Sequence, residues 1–190
     1  MSRRTWTWSV PAAVAVLAVL GWLYAASTPR YALYHLGAAM QRHDVATAER
    51  YFDVERIADH AAEVIVADYL ARQPAPTTTA ESRGREIAAG MARRRVRPQV
   101  ATRVRLEIRR SVERAGIQPT ALVLPVGAIA VLRAFEVSSA GPDVWVTYRD
   151  PGQGPVRFRM SRRAEGGWQI SEFDPEWVRR RAREEPARIR

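Results

Sequence analysis

The chain has 190 residues, enough for one globular domain with its own core plus a short appendage and too few for two full domains. Its formal charge is +10, yet all 30 basic residues are arginine and alanine is abundant, a bias that reads as coding habit more than as a nucleic-acid-binding device, so nucleic acid is not the expected partner. Cysteine is absent, which excludes a disulfide framework and a thiolate metal site and permits an oxidising compartment.

From Thr5 to Pro29 no residue carries a charge, and Trp8 to Ala26 has the length of a helix that crosses a bilayer. Trp6 and Trp8 at one end and Trp22 and Tyr24 at the other lie about 24 Å apart at helical rise, where aromatic belts sit at the two interfaces. Arg3 and Arg4 precede the stretch, while Arg30, Arg42 and Asp44 follow it, which weakly favours an N-in, C-out orientation. Residues 1–28 are therefore expected to be a single-pass anchor in the inner (plasma) membrane, with the rest of the chain outside the cytoplasm. A cleaved signal peptide is the competing reading, because Ala25, Ala26 and Ser27 are small. The long apolar core and the aromatic residues at the would-be cleavage site favour the anchor.

Ser27 or Thr28 can cap a first helix, with Pro29 at its first position and an apolar stripe of Leu33, Leu36, Gly37 and Met40. Arg42, His43 and Asp44 form a polar turn, and Asp44 caps a second helix carrying Val45, Ala48 and Phe52. A third opens at Asp53 and runs through Val54, Ile57, Ala61, Val64 and Ile65 to about Leu70, before two prolines between Gln73 and Glu81 break it. Thr78 and Glu81 make a capping box for a helix containing Ile87, Gly90 and Met91. Pro98 is expected to end or kink that helix. Beyond it Val100, Val104, Ile108 and Val112 recur every four residues, and Gly116 suits the C′ stop. The uncharged stretch Ala121 to Leu132 is too short to span a bilayer and reads as a buried helix or a strand pair.

After Arg133 the apolar period becomes two: Phe135 and Val137; Val144, Val146 and Tyr148; Val156, Phe158 and Met160; Trp168 and Ile170. Turn residues separate these runs, at Gly141-Pro142, at Pro151 to Gly154 and at Gly166-Gly167. Asp174 and Pro175 look like the cap and first residue of a closing helix that holds Trp177. The expected fold class is α+β: an N-terminal transmembrane helix, then helices packed on a curved antiparallel four-stranded meander. Residues 29–178 form the domain and 179–190 a basic tail.

The run TPRYALYHLGAAMQRHDVATAERYFDVERI, beginning at Thr28, resembles the start of a bacterial family of uncharacterised single-span membrane proteins, in which a small residue and proline precede a Tyr-x-Leu-Tyr-x-Leu helix. The pieces FEV, VTYRDP and GGWQIS resemble that family's terminal strands. The order of elements is more distantly similar to cone-shaped domains of the nuclear-transport-factor-2-like type. The resemblance implies a domain of unknown function held at a membrane, and it carries over no catalytic residue.

Among candidate chemical groups, His35, His43 and His60 lack the spacing of a helical metal site and read as surface residues, His60 on the outer side of its helix. Glu55, Asp59 and Glu63 share one helix face, which reads as solvated. Asp68 continues the apolar rows inward, where a carboxylate needs an arginine partner or takes a raised pKa. Arg93, Arg94, Arg95, Arg97, Arg103 and Arg105 concentrate positive charge around Pro98 and are the candidate anion- or partner-binding residues, since guanidinium groups grip phosphate and carboxylate in a bidentate way. The leading expectation is a membrane-anchored extracytoplasmic binding or scaffolding module of the cell envelope, without catalysis, metal or cofactor, facing anionic lipid headgroups or another envelope protein. The alternative is an envelope enzyme with Asp68, or a tyrosine such as Tyr148, as acid or base in a cone-shaped pocket. A cytoplasmic nucleic-acid binder is the third.

Overall fold

The structure, a computed structural model, describes residues 27–115, 135–140, 143–150 and 154–184. The expected membrane segment before Ser27, the Gly116 stop and the stretch from Ala121 to Leu132 lie outside the described residues. No described helix is long and apolar enough to cross a membrane.

Helix α1 (Pro29–Gln41) starts as its sequence directs: the Thr28 hydroxyl accepts a hydrogen bond from the Tyr31 amide at 3.3 Å, and Pro29 occupies the first turn. It buries Ala32, Leu33, Leu36 and Ala39. His43 turns the chain at φ 55°, and Asp44 Oδ1 accepts from the Thr47 amide at 2.9 Å to cap α2 (Val45–Glu49). Phe52, expected at the end of that helix, instead forms a parallel bridge with Ile170. The Ile170 amide donates to Tyr51 O and the Asp53 amide to Ile170 O, both at 2.8 Å. Asp53 then caps α3 (Val54–Ala71), its Oδ1 accepting from the Arg56 amide at 3.1 Å.

The capping box at Thr78 is formed in both directions. Thr78 Oγ1 accepts from the Glu81 amide and the Thr78 amide donates to Glu81 Oε2, each at 3.2 Å. The helix it opens, α4 (Thr79–Ala115), is 37 residues long and runs straight through Pro98 in sequence, so the proline does not end it. Proline removes one intrahelical hydrogen bond. That loss is outweighed because α4 packs along α3 and buries Ala89 before the proline and Ala101, Ile108 and Val112 after it.

Strands β1 (Phe135–Ala140), β2 (Asp143–Asp150), β3 (Gly154–Arg162) and β4 (Trp168–Phe173) form an antiparallel meander in the order β1-β2-β3-β4. Val146 faces Val137 on one side and Phe158 on the other, so the alternate apolar positions share one face. At the β3–β4 pair the register shifts between Arg159 and Met160. Ser171 is the extra residue, fully buried, with its hydroxyl donating to Arg159 O at 3.3 Å. Gly166 and Gly167, at φ 89° and 85°, close the β3–β4 turn in a conformation that side chains disfavour.

Helix α5 (Pro175–Glu184) is capped by Asp174 Oδ1, which accepts from the Glu176 and Trp177 amides at 2.9 and 3.2 Å. It extends through the first residues of the expected basic tail. The main core joins Leu33 and Leu36 of α1, Ile57 of α3 and Ile108 and Val112 of α4 to Val144, Val146, Phe158, Met160 and Ile170 of the sheet. A smaller cluster of Ala61, Val64 and Val178 fastens α5 to α3. Trp168 Nε1 donates to Ser27 O at 2.7 Å and so pins the start of the domain to β4.

Candidate anion-binding surface on the helical hairpin

The six arginines expected to face an anion are all on α4, and the structure divides them. Arg97 Nη2 lies 2.9 Å from Glu55 Oε2, and the same guanidinium pairs with Asp59. Arg105 Nη2 is 2.7 Å from the other Glu55 oxygen, and Arg93 Nη1 is 4.0 Å from Glu63 Oε1. The three acids on one face of α3 are thus not simply solvated: they answer three arginines of α4 in an interhelical ladder. These side chains are about half exposed, so each pair contributes on the order of 1 kcal/mol or less. Arg103 also has an intramolecular partner. Arg94 and Arg95 are exposed and have no ion partner among the described residues.

The acids were visible as one helix face, Glu55-Asp59-Glu63, and the arginines as a cluster around Pro98, but sequence alone did not give the register that brings them together. The structure also exposes three large apolar side chains on α4 to which the sequence alone assigned no face: Ile87, Met91 and Leu106.

Asp68 lies at the other end of α3, its side chain 19% exposed. Oδ1 accepts from Arg183 Nη2 at 2.8 Å, and Oδ2 pairs with Arg72. The hydrogen bond from Arg183, reinforced by the charge of Arg72, holds its pKa below the ordinary carboxylate value. A carboxylate held in this way is a weaker base, whereas base catalysis near neutrality calls for a pKa raised toward the working pH. Asp68 therefore clamps α5 onto α3; it is not the unpaired acid the enzyme reading needs. Tyr148 packs its ring against Phe135 at a centroid distance of 5.1 Å and belongs to the edge of the core.

His35 lies edge-on to Tyr31 and Tyr34. His43 Nδ1 is 3.1 Å from Val112 O and ties the α1–α2 turn to α4. His60, expected on the outside of its helix, buries Nε2 with no hydrogen-bond partner among the described residues. Among the described residues no three His, Cys, Asp or Glu side chains come together as a metal site.

A polar cleft of about 370 Å³ is lined by Glu107, Arg110, Glu113, Arg114 and Arg181. Neither Asp68 nor Tyr148, the candidate acid or base of the enzyme reading, lines it. The apolar face of the sheet is covered, with Val146 and Met160 at 0% and 1% exposure.

Fold and surface together define a small α+β domain in which an arginine-rich helical hairpin is laid beside an antiparallel meander. The chain belongs to the family described as Protein of unknown function (DUF2939), which matches residues 16–111. The match starts within the uncharged amino-terminal stretch and ends near the close of α4, so the helices carry it and the sheet lies beyond it. It agrees with the resemblance to an uncharacterised family. No curated protein and no solved structure matches the chain.

Proposed function

We propose that the chain is a membrane-anchored, extracytoplasmic binding or scaffolding module of the bacterial cell envelope. The observation that carries this reading is the charge-free stretch from Thr5 to Pro29, long enough to span a bilayer and bounded by tryptophans, which runs directly into the capped first turn of α1. The hydrogen bond from Trp168 to Ser27 fits a domain held firmly at its tether. Catalysis by Asp68 would need that carboxylate free of Arg72 and Arg183, which it is not.

Two measurements test the reading. An export-dependent reporter enzyme fused after Arg190 is expected to be active, and the full chain is expected to sediment with membranes and to be released by detergent but not by high salt. A reporter active only when cytoplasmic, or an intact chain found in the soluble fraction, overturns it. The mass of the exported product separates a retained anchor from a cleaved signal peptide.

A further inference from the structure

Helix α4 carries one continuous exposed line: Ile87, Met91, Arg95, Pro98, Thr102, Leu106 and Arg109 follow each other at three- or four-residue steps. The line spans about 33 Å at helical rise. Its apolar members are well exposed, Ile87 at 61%, Met91 at 67% and Leu106 at 44%. Arg94, Arg95 and Arg109 lie on or beside it, and none has an ion partner among the described residues. Between Ile87 and Arg110 the only acid in the sequence is Glu107, and Arg114 answers it at 2.8 Å. The arginines that turn toward α3 pair with Glu55, Asp59 and Glu63, whereas Arg94, Arg95 and Arg109 leave positive charge unopposed on this other side among the described residues.

We infer that this outer face of α4 lies against an anionic lipid surface, Ile87, Met91 and Leu106 entering the headgroup–acyl boundary and Arg94, Arg95 and Arg109 meeting lipid phosphates. The pattern of separated apolar residues flanked by arginine is that of an interfacial helix, in which modest apolar burial and electrostatic attraction each supply part of the binding. A second copy of the chain is a poor occupant, because two such faces bring like charges together. The inference rests on the anchored reading for where the domain sits, but not for the chemistry of the face.

The chain has no cysteine, so a single Met91→Cys substitution carries an environment-sensitive dye without further change. In the full chain held in lipid nanodiscs, the dye is expected to shift to the blue when phosphatidylcholine is replaced by a mixture rich in phosphatidylglycerol, and to return in high salt. The same dye at Ser138→Cys on β1 is expected not to respond to lipid charge. The triple variant Arg94→Gln, Arg95→Gln, Arg109→Gln, checked for native circular dichroism, is expected to lose most of the shift at position 91.

Equal emission from position 91 in both lipids overturns the inference and leaves the face to an acidic protein partner. A shift in neutral discs that grows with copies per disc overturns it in favour of self-association, and a triple variant that keeps the full shift overturns it as well. Failure of the anchor reading is seen separately. A chain that does not enter neutral discs lacks the anchor, while its α4 face still answers to added anionic vesicles.

Discussion

Asp68 and Arg159 show what single residues do in this domain. Arg159 lies on β3, its guanidinium bonded to Asp143 and, at 3.1 Å, to Glu172, while Arg56 of α3 reaches the same Glu172 at 3.3 Å. The hydrogen bond that Arg159 donates to Asp143 raises its pKa still further, so it stays charged throughout and joins β3 to β2 and β4, while Arg56 extends the network to the start of α3. Asp68 makes the corresponding tie for α5. Its inward lean was legible from the apolar spacing of α3, but its partner Arg183 stands 115 residues away in sequence and only the fold brings the two together. Because its folded pKa is depressed, the stabilisation is present above the ordinary value of 3.8 and is lost as pH falls through the lower folded value. Urea unfolding of the native chain and of Asp68→Asn is therefore expected to show a stability gap at neutral pH that closes under acid. A gap that persists once the carboxyl is protonated would mean that Asp68 acts through packing alone.

At the scale of elements, the helix starts were legible because each carries its own chemistry: Thr28 with Pro29, Asp44, Asp53, the Thr78–Glu81 box and Asp174 all cap as their positions imply. The four strands were legible for a similar reason, since a period of two and glycine turns are local signals. The middle of α4 was not. Pro98 is a local stop signal, and what overrides it is the neighbouring helix, with buried alanines and an ion-pair ladder on both sides of the proline. If tertiary packing carries α4 across a position that its own sequence disfavours, Pro98→Ala should restore the missing hydrogen bond and remove the clash with the preceding turn. Chemical denaturation is expected to show a gain of about 2 kcal/mol, within the cost of roughly 3 kcal/mol that proline imposes inside a helix. An unchanged or lowered stability would show that the surrounding backbone has adapted to the proline. Thr102, whose hydroxyl donates to Pro98 O at 3.0 Å, is the first place to look for that adaptation.

Across the whole molecule the helical hairpin is supported unevenly. The carboxyl-terminal half of α4 enters the main core through Val104, Ile108 and Val112, together with α1 and the sheet. Its amino-terminal half touches no such core: from Thr79 to Val96 only Ala89 is buried, and Ile87 and Met91 stand in solvent. What holds that half is α3, the half-exposed ion pairs, and Arg85 bonding to Leu70 O across the connecting turn. Buried apolar contacts set the free energy of local opening far more than exposed ion pairs do, so one helix should contain two levels of protection. Hydrogen exchange followed by mass spectrometry is expected to show amides between Ile87 and Arg95 exchanging roughly tenfold or more faster than those between Val104 and Val112. High salt should widen the difference by weakening the ladder without touching the core. Uniform protection along all of α4 would mean that the hairpin opens only with the whole domain, and the exposed line on its outer face would then be presented by a rigid helix, not by one that can adjust to the surface it meets.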